Sequence, residues 1–485
     1  MKSNNLSIQA ISYTLINYVG VFLGMFSTLF IYPQDKYLLG IFSFVEGFAQ
    51  ILYPVMMMGT SMALVNFQPQ LSEVFQRKLF SYSLLSIAVF ALLVGVVVGV
   101  FYQLQWFENW QYYFYGVVLA VTLAYIDLSK KQLSLLQKIA FPTAIEKIVP
   151  KIILPVVFAL GLFVGISYES SLGVFVGCMS IAMLIVLKYT FRQFSPIFTT
   201  KYNDLFQKID KKHYYVYSLY ALSASLGAFF AFRIDSVMIP EFLTNTANGE
   251  YRLGVNIANV LMIPATGIFT LYSPKISEYI KNNQWGKLES DYKEVAKGLF
   301  FVGILFFGSL IIGIQSFFEQ LPTADQLQNS IWIIYLLGGS VLLNMATGFN
   351  TEIIAFSNKF SFNLYLIFLL AISNVSLNYI LLTSTNWGII GVAISTLISM
   401  TLYNAIKMYY IYKKWNIHPF SDSYFWLAVM AFACIVLFGK LHFLDVYRFG
   451  FVLKIALFVS LYCLWVYRKN HIPFFTNLVD KFLKK

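Results

Sequence analysis

Apolar residues in this chain come in blocks of about twenty, and that feature most limits what it can fold into. At 1.5 Å per residue, a helix of that length crosses the roughly 30 Å of hydrocarbon in a bilayer. In lipid the backbone must satisfy its own hydrogen bonds, which leaves helices or closed barrels. A barrel would show alternating segments of about ten residues, and the blocks here do not alternate. Composition agrees: 59% of the 485 residues are hydrophobic and 12% charged, about half the charge of a soluble domain. The expectation is an all-α polytopic membrane protein with about 14 transmembrane helices. The spans fall at roughly 11–31, 38–63, 79–102, 112–129, 147–166, 171–190, 216–240, 252–273, 295–316, 330–354, 362–382, 388–411, 422–440 and 449–467. The first block is long and has no small-residue cleavage site after it, so it is expected to remain as helix one.

Lysines and arginines set the orientation. Of the 34, 27 fall at the two ends and in every even-numbered loop, such as the runs Lys188–Lys212 and Lys275–Lys297. Only Lys36, Arg252, Lys440 and Arg448 fall on the other side, and Arg233, Lys151 and Lys454 lie within spans. Both termini should therefore face the cytoplasm. The net charge of +12 is a topology signal that also suits anionic lipid headgroups; it does not point to nucleic acid. Cys178, Cys434 and Cys463 all lie within spans and are expected to be packing residues, without a disulfide framework or a metal site.

The chain also reads as a repeat. "PQLSE" (69–73) and "PKISE" (274–278) close corresponding stretches. "YPQDKYLLGIF" (32–42) matches "IPEFLTNTANGEY" (239–251) in kind: a Pro closes one helix, and a Gly followed by an aromatic opens the next. Pro54 and Pro264 then interrupt the second helix of each pair. The expected organisation is a six-helix lobe at 1–213, a second at 214–412 and two further helices at 413–485. A basic cytoplasmic linker, "RQFSPIFTTKYNDLFQKIDKKH", joins the lobes. Two six-helix lobes related by a repeat suggest a transporter with a central site. Two pieces outside the spans are amphipathic and suit headgroups. One is an elbow at 281–297; the other is a tail with Phe474, Phe475, Leu478, Val479, Phe482 and Leu483 on one face.

The stretch "RIDSVMIPEFLTNTANGEYRLGVNIANVLMIPATGIFTLYSPKISE" (233–278) closely resembles the centre of the bacterial polysaccharide transport family. The opening at 16–73 is similar to the same family's start. Order and spacing extend the resemblance over essentially the whole chain. The family sits in the multidrug/oligosaccharidyl-lipid/polysaccharide exporter superfamily, with Wzx-like O-antigen flippases and the lipid II flippase. The resemblance implies a flippase that moves an undecaprenyl-diphosphate-linked oligosaccharide (O-antigen, capsule or a related repeat unit) across the bacterial inner membrane by alternating access. It implies proton or sodium coupling with no bound cofactor. The implied partners are the lipid-linked oligosaccharide, membrane lipids and polysaccharide assembly proteins.

The residues that could carry this are charged groups at bilayer depth, each costing roughly 2.5–3.5 kcal/mol on insertion scales. Arg233 and Asp235 sit two apart in span seven, about 200° around a helix, so each needs its own partner or a wet cavity. Arg233 and Glu46 lie at similar depth, on helices assigned to different lobes. The expectation is that they pair across the lobe interface as an outer gate, which opens when a diphosphate competes for the guanidinium. The plainer readings are a structural pair or an arginine snorkelling outward. Arg252 is a headgroup anchor or a phosphate site. Asn256 and Asn259 share a face, as do Asn374 and Asn378; Asn17, Gln50 and Asn344 stand singly. Interhelical hydrogen bonds account for most such residues, with cavity lining the alternative. Asp127 and Glu352 are solvated helix ends or ion-coupling sites. Unlike the lipid II flippase, helices one and two here carry no arginine, which makes lipid II a poorer candidate cargo.

Two other functions compete. A multidrug exporter of the same superfamily would use Glu46 or Asp235 for a cation, but the intramembrane arginine would repel it. A membrane polymerase or ligase would need a large outer loop with catalytic residues, and none is present. The four histidines are scattered, and no phosphate loop, paired carboxylates or metal cluster appears. The chain does not read as an enzyme.

Overall fold

The computed structural model describes residues 19–104, 110–199, 202–357, 360–441, 447, 449–473, 475–476 and 479–480. Asn17, His442 and the tail residues Phe474, Leu478, Phe482 and Leu483 lie outside them. The described residues are predominantly helical, with no strand among them. Among the described residues, ten helices are long and apolar enough to cross a membrane, or up to twelve if two bent pairs each count as one span. The two shorter apolar helices, Val19–Phe30 and Ser423–Gly439, coincide with the first and thirteenth expected spans. This is a multi-pass membrane protein. It divides into two compact units, Met1–Arg252 and Leu253–Lys485.

In the first unit α1 is Val19–Phe30, α2 Lys36–Met57, α3 Thr60–Phe67, α4 Glu73–Gln103, α5 Trp110–Leu135, α6 Ala140–Val164, α7 Tyr168–Gln193, α8 Leu205–Lys208 and α9 Lys211–Phe242. The helix α10, Asn245–Val260, starts here and runs into the second unit. At the centre is α2, which packs on α5 and α9. Asp35 caps it by accepting a hydrogen bond from the Leu38 amide, satisfying one of the orphan donors of the first turn. Leu38, Leu39, Ile41, Phe42, Phe44, Val45 and Ala49 are buried almost all round it, as expected of a helix enclosed by protein. In contrast, α4 turns Val89, Leu92, Val96 and Val100 outward, an apolar surface of the kind that faces lipid.

Pro54 stays inside α2; the helix stops after Met57, where Met58 and Gly59 take left-handed conformations (φ 45° and 72°). A Cβ on Gly59 would sit 2.0 Å from the Ser218 carbonyl oxygen, so the break lies tight against α9. Pro264 does not interrupt a helix either. It lies in the first turn of α11 (Ile263–Lys281), where its missing N–H costs nothing; the break precedes it, with a 49° bend between α10 and α11. The linker after α7 is folded rather than free. Phe194, Leu205 and Ile209 enter the core formed by Leu79, Phe80 and Tyr214, Ser81 donates to the Ile197 carbonyl at 2.6 Å, and Lys78 pairs with Asp204.

The second unit contains α11, α12 (Trp285–Phe318), α13 (Ala324–Leu327), α14 (Ile331–Ala346), α15 (Asn350–Phe356), α16 (Phe360–Ser384), α17 (Gly388–Trp415), α18 (Ser423–Gly439) and α19 (Gly450–Lys469). Its centre is α12, which packs on α14, α18 and α19; α17 packs on α14 and α16. Phe301, Ile304, Cys434, Phe438, Phe458 and Tyr462 share one core. The expected elbow at 281–297 is not a separate surface helix: from Trp285 it is continuous with span nine. Leu288, Tyr292, Val295, Ala296 and Leu299 bury one stripe along it, and no proline interrupts the helix, so the turn after Gln284 propagates straight into the membrane.

Candidate functional site

The charged candidates of the first unit are placed by an unusually close meeting of helices. A Cβ on Gly40 of α2 would fall 1.7 Å from the Asn245 carbonyl oxygen, and one on Gly249 of α10 would fall 1.9 Å from that of Lys36. Only hydrogen fits at either point, so the backbones of α2 and α10 touch. Gly47 does the same more loosely against Ser236 and the Arg233 carbonyl. Small residues let membrane helices approach so that polar groups can bond across the seam. Ser43 bonds Ser236 at 3.2 Å, and Asn248 donates to the Gly40 carbonyl (2.9 Å) and the Ser236 carbonyl (3.1 Å). Lys36 pairs with Glu250, and Tyr113 donates to Glu241.

On this seam Glu46 accepts from Arg252 Nη2 at 2.8 Å, with both side chains largely buried at 18% exposure. That corrects the expected partner. Glu46 does not pair with Arg233, and Glu46, Arg233 and Arg252 all belong to one unit. The reason is local: α10 begins three residues after α9 ends, and two turns in it carries Arg252 alongside α2. Arg233 meets α2 through its backbone, its carbonyl oxygen lying 3.4 Å from where a Gly47 Cβ would be. Among the described residues no carboxylate lies within 4.0 Å of its guanidinium; Glu46, Arg252 and Tyr53 act on it from farther away. Asp235, pointing elsewhere as the helical angle requires, is buried and accepts from the Tyr251 hydroxyl at 2.7 Å. Mid-way along α6, Lys151 runs against α1, its ammonium 3.3 Å from where a Gly20 Cβ would be. No carboxylate pairs with it within 4.0 Å among the described residues.

No protein-family model matches the chain. It is 23% identical over 201 residues to the probable low-salt glycan biosynthesis flippase Agl15 of Haloferax volcanii. That match takes in 40% of this chain and 41% of the relative, so the chain spans about two-fifths of its length. The structural likeness reaches much further. The lipid II flippase MurJ, in an inward closed conformation, aligns over 98% of this chain and 100% of its own with a TM-score of 0.68, at 13% identity. An inward-facing multidrug resistance MATE family transporter of the MOP superfamily gives 0.61 over 84% and 98%, at 14% identity. The chain has the fold of the MOP-superfamily transporters. A MOP-superfamily transporter from Pyrococcus furiosus, with a TM-score of 0.51 over 85% and 95% at 14% identity, is a third example.

Asp127 is held by Lys130 at 3.4 Å, and Lys130 also reaches Glu146 of α6 at 2.5 Å. Asn256 and Asn259 belong to the second unit; Asn259 is exposed and Asn256 half-buried. Asn374 accepts from Ser395 at 3.1 Å, an interhelical bond. Glu352 sits on α15 near Lys407 without touching it. Sequence reasoning missed Asn248, whose amide ties three helices, and Lys407, counted among the cytoplasmic cations but 1% exposed. The N-T-A-N-G-E-Y run held a signal for Asn248, a polar side chain one residue before a glycine that admits another backbone. Lys407 had one too, lying inside an expected span.

Proposed function

We propose that this protein is a flippase that carries undecaprenyl-diphosphate-linked oligosaccharide (O-antigen, capsule or a related repeat unit) across a bacterial inner membrane by alternating access. Both termini are cytoplasmic in this reading, and the cargo crosses chemically unchanged. The observation that carries it is Arg233, a guanidinium in span seven with no carboxylate within 4.0 Å among the described residues, while the nearby Glu46 is taken by Arg252. A cation left open at that depth suits an anionic headgroup, and the guanidinium fork binds phosphate oxygens in pairs. Arg233 receives the diphosphate first. Arg252 follows as phosphate oxygens displace the Glu46 carboxylate, while Tyr251 keeps Asp235 from competing for the cations. Proton or sodium movement drives the cycle, with Asp127 and Glu352 as coupling candidates. The glycan-flippase name of the curated relative supports the cargo class.

The test is a lipid-linked glycan assay in cells lacking the protein. Undecaprenyl-diphosphate glycan should accumulate on the cytoplasmic face. Wild type should clear it, and Arg233→Ala should clear it at least about tenfold more slowly, the effect of losing about 1.4 kcal/mol of binding. Clearance by Arg233→Ala at the wild-type rate would remove the anion role. The multidrug-transporter neighbour keeps a second reading in play, a cation exporter using Glu46 or Asp235. Absence of glycan build-up together with new sensitivity to cationic compounds would select it.

A further inference from the structure

Span ten of the second unit is broken, and the break holds a lysine that the reading above does not use. α14 stops at Ala346 and α15 begins at Asn350, with Gly348 between them in the left-handed region (φ 60°). Irregular backbone at membrane depth persists only where protein or a cavity covers it. Here the cover comes from α17. Lys407, 1% exposed, donates from its ammonium to Thr351 Oγ1 at 2.7 Å and Asn350 Oδ1 at 3.2 Å. It also lies 3.7 Å from the centroid of the Tyr403 ring. Three N–H groups thus meet two oxygens and a π face. No carboxylate oxygen comes within 4.0 Å of it among the described residues; Glu352 balances the charge from farther off.

The surrounding amides are oriented by a chain of bonds. Asn404 Nδ2 donates to the Met400 carbonyl at 3.0 Å, which turns its oxygen toward the break. That oxygen accepts from Asn350 Nδ2 (3.0 Å) and shares the single Thr347 hydroxyl proton (3.2 Å) with the Asn344 carbonyl (2.9 Å). Asn350 must therefore offer its own oxygen on the far side, where Lys407 and the Thr351 hydroxyl (3.2 Å) both donate to it. With its proton spent on Asn350, the Thr351 hydroxyl has only lone pairs left for Lys407. Each group that could have turned a donor inward is committed elsewhere, and the oxygens converge on one point. A hydrocarbon there would leave the Thr351 oxygen without its donor and Asn350 Oδ1 with the Thr351 hydroxyl alone, and an acceptor that loses its donor away from water is costly.

We propose that this cage is a monovalent-cation site whose resident ion is the protein's own ammonium, so that Lys407 holds the broken span as a tethered cation in place of a free one. The proposal stands on the second unit alone and is independent of what the protein carries.

The experiment melts the purified full chain and its variants in detergent at constant ionic strength. Lys407→Ala leaves a side-chain-sized space behind an intact cage. It should melt several degrees below wild type in choline chloride and recover in n-propylammonium chloride, which matches the three carbons and ammonium lost. It should not recover in tetramethylammonium chloride, which has no N–H to donate. Lys407→Met fills the space without charge and should stay low in every salt. If Lys407→Met melts at or above wild type, the proposal is overturned, because a buried charge that is merely costly improves when hydrocarbon replaces it. A Lys407→Ala protein indifferent to n-propylammonium overturns it equally. Should Lys407→Ala fail to accumulate, growth with n-propylammonium in the medium replaces the melt: recovery supports the tethered cation, and continued failure counts against it.

Discussion

Gly40→Ala is the smallest change that tests how the first unit is assembled. The added methyl would lie 1.7 Å from the Asn245 carbonyl oxygen, where ordinary contact begins at 3.4 Å, so α2 and α10 must separate by about 1.7 Å at that point. Asn248 then loses its bonds to the Gly40 and Ser236 carbonyls, now 2.9 and 3.1 Å, each contributing about 1 kcal/mol. Forcing a methylene into a packed contact costs about 1–3 kcal/mol, and alanine's better helix propensity returns about 1 kcal/mol. The net expectation is about 2–4 kcal/mol of destabilisation. At about 2 °C per kcal/mol for a unit of this size, melting in detergent should fall by about 4–8 °C. The control is Gly95→Ala on α4, where nothing lies within 4 Å of the new methyl; it should melt at or slightly above wild type. If Gly40→Ala melts with Gly95→Ala, the two helices do not meet as described and the placement of Arg252 beside Glu46 fails with them.

Further outcomes follow from the same contacts. In a double-mutant cycle, Glu46→Gln and Arg252→Gln should couple by about 1–3 kcal/mol in thermal stability; a coupling below about 0.5 kcal/mol would show that the 2.8 Å contact contributes nothing. Asp204, outside the spans, is held below its ordinary 3.8 by its hydrogen bond from Lys78. Its stabilising effect is therefore present above the unfolded value and is lost as pH falls through the depressed one. Amide exchange in Leu205–Lys208 should stay slow at neutral pH and accelerate only in acid below about pH 4. Exchange that is already fast at pH 7 would show that the linker is not docked through this pair.

Much of the fold was legible because membrane spans are encoded locally. Twenty apolar residues specify a helix in lipid whatever surrounds them, and the fourteen expected blocks all meet helices. Helix breaks were harder. Pro54 and Pro264 marked the correct neighbourhoods, yet the chain breaks beside them, at Met58–Gly59 and before Ile263, because Met58 and Gly59 take the left-handed backbone that ends a helix while a proline in the first turn starts one without loss. The charges were found, but Glu46 took a different partner. Depth can be estimated from residue counts; azimuth around the helix axis depends on which backbones can touch, and that was decided by Gly40 and Gly249.

The sequence by itself determined that this chain lives in a membrane, roughly where it crosses, and that a few charges are carried there at a cost large enough to need a reason. Tertiary structure alone decided which of those charges meet. Hydrophobic insertion is scalar and sums along the chain, so it can be read residue by residue. Pairing is vectorial: Arg252 reaches Glu46 only after α2 and α10 have packed to within a hydrogen atom's width of one another, Lys407 enters the cage at Asn350 only after α17 has packed on the broken span, and nothing in the order of residues states those distances.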